Sequence, residues 1–246
     1  MLRLGGLIMG KKQGLSKISE HVFEIRYKPN PKILDLRGKW TELISKNLNL
    51  PHWSLNEGRI DVFDSEKHNE LMFVTFLNAG VAFYNPQMEN YFPEKAVKFF
   101  KLLSDFKGFD KPLFVERLGV RAKCISAYEG GFDTLVNLFT ANFINLTMKS
   151  KSAINVDLIN ISTSLQLKDN VGNFNVMSGP IKNDQIKAFF NRDESSYPEV
   201  GLFYDIDYWS KPHQTMNTDD IIKTIKNFHS ATLDRYKEMV NLVFGE

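Results

Sequence analysis

The sequence predicts an α+β fold in which mostly antiparallel sheets are covered by helices, with a long helix at the C-terminus. Three observations support this class: runs in which apolar and polar residues alternate, runs with apolar residues every three or four positions, and a short glycine-containing connection between two strand-like runs. The elements follow one another as β-α-β-β-β-α twice, at 15–110 and at 111–246. This repeated order predicts an internal duplication, with an N-terminal and a C-terminal half.

We expect residues 1–14 to form a disordered leader. Their apolar stretch is too short and too interrupted by glycine for a signal peptide. Gly5 and Gly10 approach the spacing of a phosphate-binding loop, but Lys12 stands where that loop needs a hydroxyl group. Only four residues precede Gly5, too few for the strand that delivers such a loop, so we expect no nucleotide site here.

The N-terminal half is predicted to have one helix after its first strand and a second helix at its end. Phe23, Ile25 and Tyr27 alternate with charged residues, which is typical of a strand with one wet face. The segment 78–80, Asn-Ala-Gly, is expected to join two strands as a hairpin. The predicted elements are a strand at 22–28, a helix at 33–44, strands at 53–64, 71–77 and 81–84, and a helix from 93 to near 108.

The C-terminal half is predicted to repeat this order with one insertion. The insertion, at 178–200, contains a short amphipathic stretch at 185–190. Thr218 is the predicted N-cap of the last helix, and Asp219 and Asp220 favour the positive end of its dipole. The predicted elements are a strand at 114–126, a helix at 132–144, strands at 155–167, 173–177 and 202–209, and a helix at 219–244.

Charge, hydropathy and cysteine content bound the class of protein. The 31 basic and 29 acidic residues give a net charge of +2, too small for a global field that implies nucleic acid or an anionic membrane. No run approaches the roughly 20 apolar residues of a membrane helix. The single cysteine, Cys124, excludes an intramolecular disulfide. These features predict a cytoplasmic protein.

No motif predicts a metal or a cofactor, and we expect neither. The five histidines include no pair at the three- or four-residue spacing that brings two imidazoles together on a helix. Cys124 has the same strand parity as Leu118 and Val120, which predicts a buried and unreactive thiol.

The most suggestive cluster of charges lies in the strand at 115–123. Arg117, Arg121 and Lys123 share one face of that strand, and Gly119 lies between them. Arginine offers a planar fork for phosphate or carboxylate, and a glycine permits close approach of a ligand or a backbone. This face is therefore a candidate anion-binding surface.

Asp205 and Asp207 offer two other interpretations of the same region. They share one face of the strand at 202–209, where they can pair across the sheet with the cations of the strand at 115–123. We favour this pairing over an anion site. The two aspartates can instead hold a divalent metal, with Asp61 or Asp64 as a further ligand.

Three short motifs are distinctive. They are 23–27 (FEIRY), 115–121 (VERLGVR) and 205–208 (DIDY), and 91–94 (YFPE) precedes the mid-chain helix. With the long terminal helix, they resemble a sporadically distributed prokaryotic family of uncharacterised proteins of similar length, from about Leu15 to the C-terminus. The family's arginine-rich continuation after the second motif is here 122–125 (AKCI), which weakens a carried-over anion site.

The resemblance implies the element order given above and a prokaryotic intracellular setting, in mobile or defence-related gene neighbourhoods. It supplies no catalytic residue.

Three functions stay open at this stage. The leading hypothesis is a non-catalytic protein-interaction or ligand-binding protein, with a protein partner or a homo-oligomeric state, because aromatic residues and sheet surface are abundant. The second is nucleic-acid or nucleotide binding through Arg26 together with the three cations of the strand at 115–123. The third is a metal-dependent phosphoryl-transfer enzyme or nuclease that uses Asp205 and Asp207.

Overall fold

A computed structural model describes residues 17–86, 88–106, 109, 112–144 and 158–245. The expected leader, 1–14, lies outside the described residues. The strands are β1 Lys17–Tyr27, β2 His52–Leu55, β3 Arg59–Phe63, β4 Glu70–Thr75, β5 Asn78–Tyr84, β6 Leu113–Ala127, β7 Thr163–Lys168, β8 Asn173–Lys182, β9 Val200–Ser210 and β10 Gln214–Met216. The helices are α1 Lys32–Asp35, α2 Arg37–Leu48, α3 Tyr91–Asp105, α4 Phe132–Phe139, α5 Asn183–Phe190 and α6 Thr218–Phe244, with a π-helical turn at Thr140–Ile144 after α4.

All ten described strands form one antiparallel sheet, which confirms the predicted α+β class. Its order is β2-β3-β4-β5-β1-β6-β9-β8-β7, with β10 paired to the start of β6. In each half the first strand lies at the centre, beside the last long strand of that half. This order is compatible with the predicted duplication, which stays a prediction because strand order alone does not show it.

The two faces of the sheet are covered unequally. Helices α2, α3, α4 and α6 pack on one face, where alternate strand residues such as Phe23, Val120 and Tyr204 are fully buried. Of the described helices, only α5 packs on the other face, and it covers one end, around Ile18, Ile125 and Ile181. The centre of this second face carries charged side chains such as Glu24, Arg117 and Asp207. Among the described residues, no helix is long and apolar enough to cross a membrane.

Two predicted strand boundaries in the first half are wrong. The segment 53–64 is two strands, β2 and β3, joined by a turn at 56–58 in which the Asn56 amide donates to the Arg59 carbonyl at 2.9 Å. The hairpin between β4 and β5 turns at 76–77, whereas 78–80 are the first residues of β5. Thr75 fixes this turn, because its hydroxyl oxygen accepts from the Asn78 amide at 2.9 Å.

The helix ends also differ from the prediction. The helix at 33–44 is divided at Leu36 into α1 and α2, and the helix at 132–144 continues from α4 as the π-helical turn. Helix α6 is capped by Asn217, whose side chain accepts from the Asp220 amide at 2.8 Å, and not by Thr218, its first residue. An asparagine and a threonine side by side can both cap a helix, so sequence alone did not decide between them.

Candidate functional site

The candidate residues of the sequence meet on the second face of the sheet, at its centre. Strand alternation places them on β1, β6 and β9, the three adjacent central strands. We call this set the charged face, and it comprises Glu20, Glu24, Arg26, Arg117, Arg121, Lys123, Asp205 and Asp207. Four of these side chains are acidic and four are basic, so the formal charges cancel.

The arginines of β6 bind the aspartates of β9 along diagonals. Arg121 lies directly opposite Asp207 in the strand register, yet its guanidinium donates to Asp205 at 2.5 and 2.7 Å. Arg117 donates in turn to Asp207 at 2.9 and 3.2 Å. Asp205 is a diagonal neighbour of Arg121, within reach of a long side chain, whereas Arg117 extends over Gly119 to an aspartate further along β9. A guanidinium can bind both carboxylate oxygens at once.

The remaining charges are paired with β1. Lys123 lies 3.1 Å from a carboxylate oxygen of Glu20, and Arg117 lies 3.7 Å from one of Glu24. Arg26, which is 53% exposed, lies 2.5 Å from Glu24. Every cation of the charged face therefore has a carboxylate partner in the chain itself.

Gly119 lies beneath the guanidinium of Arg117. A Cβ atom at this position would lie 3.0 Å from Nη1 of Arg117 and 3.2 Å from the Tyr208 carbonyl oxygen. The space that glycine leaves on this strand is thus filled by the neighbouring arginine of the same strand.

The ion pairs change the acidity of their members. Burial raises the pKa of Asp207, although Arg117 and Arg121 lower it. The hydrogen bonds to Asp205 raise the pKa of Arg121, which keeps the guanidinium charged. Asp207 therefore depends on Arg117 and Arg121 to offset the cost of burying its charge.

The other proposed metal ligands lie apart from Asp205 and Asp207. Asp61 is on β3, five strand spacings or about 24 Å from β9. Its carboxylate accepts from Arg59 at 2.7 Å, and that of Asp64 accepts from the Glu70 amide at 3.0 Å. Across the described residues, no three histidine, cysteine, aspartate or glutamate side chains are grouped so that they could hold a metal ion.

Two residues outside the charged face form a contact that sequence spacing did not indicate. His21 and His229, 3% and 6% exposed, have ring centroids 5.5 Å apart, beside the ring of Phe92. Nε2 of His21 lies 3.2 Å from the Ser19 hydroxyl, and Nε2 of His229 lies 3.3 Å from the Glu89 carbonyl. Cys124 is buried, as its strand parity predicted.

A cleft of about 480 Å³ lies where the loop after α5 meets the first half of the chain. Tyr84 and Tyr91 form part of its wall, and Tyr91 donates to Glu70, which also lies 3.1 Å from Lys95. The Tyr84 hydroxyl donates to that of Tyr197 at 3.0 Å. The hydrogen bond between Tyr84 and Tyr197 therefore joins the two halves, whereas the contacts of Glu70 lie within the first half.

The first strand of the sheet order, β2, exposes large apolar side chains that the sequence analysis did not single out. Trp53 is 57% exposed and Leu55 is 41% exposed. They lie on the same face as Ile60 and Val62 of β3, which are 1% and 0% exposed. The apolar layer of the sheet thus continues onto β2, where its side chains are only partly shielded from solvent.

A groove of about 410 Å³ runs along this strand beside α2. Its walls are Trp53 and Leu55 on one side and α2 residues on the other: Gly38, Thr41, Glu42, Ser45 and Lys46. Within the described residues, β2 pairs with β3 alone, so the backbone groups on its outer edge have no strand partner there. Such an edge is a template for another strand.

Comparison with models of known protein families finds no matching family, and no curated protein matches the sequence. The resemblance inferred from the three motifs therefore stays a prediction.

Proposed function

We propose that this chain is a non-catalytic interaction protein whose interface is the outer edge of β2. The observation that carries the proposal is the exposure of Trp53, at 57%, on an edge strand beside a groove. Tryptophan is among the residues most enriched in the energetic centres of interfaces, and a free strand edge provides backbone donors and acceptors for a partner strand.

The edge at β2 has more support than the opposite edge of the sheet. At that edge, β7 exposes Leu165 and Leu167 at 41% and 38%, without an aromatic residue. The difference is the tryptophan, because tryptophan is enriched in the energetic centres of interfaces whereas leucine is under-represented there.

The two alternative functions have less support. The cations proposed to bind nucleic acid are each paired with a carboxylate, so a phosphate would have to displace that carboxylate. Asp205 and Asp207, proposed to hold a metal, are both bound to guanidinium groups. The charged face is better explained as a cross-strand network that stabilises the centre of the sheet.

The proposal is tested by replacing Trp53 with arginine and measuring which chains co-purify with the tagged protein from its native cell extract. We expect the Trp53→Arg variant to lose its bound chains, because loss of an interface tryptophan costs about 2 kcal/mol or more of binding free energy. The Leu165→Arg variant, at the opposite edge, should keep them. A wild-type protein that is monomeric and co-purifies with no chain would refute the proposal.

A further inference from the structure

We propose that the strand that pairs with the edge of β2 is β2 of a second copy of this chain, related by a two-fold axis. This inference rests on the proposed interaction function and names its partner. It follows from three features of β2 and α2: the strand parity, the apolar side chains and the order of charges along the groove.

Strand parity restricts where the axis can lie. A two-fold axis perpendicular to the sheet leaves each side chain on its own face, and residues directly opposite each other in an antiparallel pair point to the same face. The axis must therefore lie midway between the two copies of one residue of β2, and not level with a point between two residues; we call this an axis through that residue. Trp53 and Ser54 are the two central residues of the strand, so they are the two choices.

An axis through Ser54 fits better than one through Trp53. It places Trp53 of each copy opposite Leu55 of the other, so the most exposed aromatic side chain meets an exposed aliphatic one twice. An axis through Trp53 would place Leu55 opposite Pro51, which has no amide hydrogen to donate to the strand ladder. The Ser54 axis also places only small hydroxyl groups at the centre of the opposite face.

The pairing would complete the apolar layer across the two copies. Trp53 and Leu55 continue the layer of Ile60 and Val62, and the groove beside α2 leaves space for the side chains of the incoming strand. A surface that is complementary to itself in this way is what a two-fold interface requires.

The charges along the groove are also complementary to themselves. Glu42 and Lys46 lie one helical turn apart on the wall formed by α2. A two-fold axis reverses the order of residues along the seam, so an axis level with residue 44 of α2 brings Glu42 of one copy opposite Lys46 of the other. Each acidic group then faces a basic group across the interface. Like charges in these positions would instead oppose association of two copies.

The first test is the mass of the purified full chain in solution as a function of concentration. A four-residue strand gives a small interface, so we expect a reversible dimer with a dissociation constant on the order of 10 µM. Trp53→Arg should weaken the dimer by at least about 30-fold. Leu165→Arg, on β7, should leave it unchanged, and circular dichroism should show that both variants are folded.

The second test places a cysteine on the proposed axis. When Ser54→Cys is treated with oxidised glutathione, which is reduced to two thiols, the introduced cysteines should form a covalent dimer, because opposite residues of an antiparallel pair have Cα atoms about 4.5 to 5.5 Å apart, within the range of a disulfide. Ser164→Cys, at an equivalent exposed position of β7, is the matched control. Cys124 is buried and should not take part.

Two results would overturn the inference. One is a monomeric wild-type chain at all concentrations up to about 1 mM, with Ser54→Cys cross-linking no faster than Ser164→Cys. The other is a dimer that Trp53→Arg leaves intact, which would place the interface elsewhere. If a monomeric chain still captures a different protein through Trp53, the second copy is excluded and the proposed interaction function stands.

Discussion

Gly119 provides the space in which the Arg117 guanidinium lies against the sheet. Its missing side chain lets the guanidinium reach Asp207 at 2.9 Å, and a methyl group there would lie 3.0 Å from Nη1. The absence of a side chain at Gly119 therefore permits the ion pair between Arg117 and Asp207. A role in ion pairing explains this residue without any bound anion.

Replacement of Gly119 by alanine should displace Arg117 from Asp207. We expect a loss of about 1 to 2 kcal/mol in the free energy of unfolding, measured by urea denaturation, because a partly buried carboxylate loses a charged hydrogen-bond partner. In an Arg117→Ala background the same change should cost less than half as much. Gly38→Ala, where no atom lies within 4 Å of the new methyl group, should not destabilise the protein. An equal cost in both backgrounds would contradict this explanation.

Six of the eight residues of the charged face were predicted from the sequence, and so was the pairing of its β6 cations with the β9 aspartates, whereas the individual partners were not. Alternation alone assigned Arg117, Arg121 and Lys123 to one face, and Asp205 and Asp207 to a matching one. The register, which sets the diagonals, depends on how β6 and β9 align, and no local pattern states it. The partners Glu20 and Glu24 were missed because no local pattern shows that β1 lies beside β6.

At the scale of elements, the numbering of the apolar residues indicates the turn between β2 and β3, which the prediction of a single strand missed. Trp53 and Leu55 are odd-numbered, whereas Ile60 and Val62 are even-numbered, yet all four lie on one face. A single strand would have put them on opposite faces, so the change of parity around Gly58 marks a turn. The exposure of Trp53 could not be read from sequence, because it depends on β2 being the outermost strand.

Asp169 joins three elements through one carboxylate. It accepts from the Val171 and Gly172 amides of the β7–β8 turn at 2.8 and 3.0 Å, from the Tyr208 hydroxyl at 2.7 Å, and from Arg235 of α6 at 3.0 Å. Burial raises the pKa of Asp169, but these hydrogen bonds outweigh it and lower the pKa from its ordinary value of 3.8 to about 2.

Asp169→Asn should make the protein less sensitive to acid. Because the pKa of Asp169 is lowered in the folded state, its stabilisation is present above pH 3.8 and is lost as the pH falls through about 2. At pH 7 the variant should lose about 2 kcal/mol in the free energy of unfolding. The difference from wild type should shrink steadily between about pH 4 and pH 2. Glu129→Gln is an exposed control, and a difference that is constant with pH would contradict the assignment.

At the scale of the whole molecule, the insertion after β8 joins the two halves. Sequence indicated an amphipathic stretch at 185–190 but not its target. Helix α5 and the loop after it pack on the second face of the sheet, where Phe190 and Tyr197 join Ile18 of β1. The loop then reaches the turn between β3 and β4 through Arg192. Long-range contacts of this kind have no periodic signature, so they are missed even where the elements themselves are predicted.

Arg192→Ala should loosen the connection between the halves. The guanidinium donates to the Lys67 carbonyl and, at 2.7 Å, to the His68 carbonyl, and it lies 4.3 Å from the Tyr84 ring centroid. We expect a loss of about 1 to 2 kcal/mol in the free energy of unfolding and faster amide hydrogen exchange at both 65–70 and 191–197. Arg192→Lys should resemble the alanine variant, because one ammonium group cannot reproduce the geometry in which the two guanidinium nitrogens donate to two carbonyl groups. Lys187→Ala, which removes an exposed ion pair with Asp193 within the second segment, should leave exchange at 65–70 unchanged. Faster exchange confined to 191–197 would mean that the two segments are independent and that Arg192 does not couple the halves.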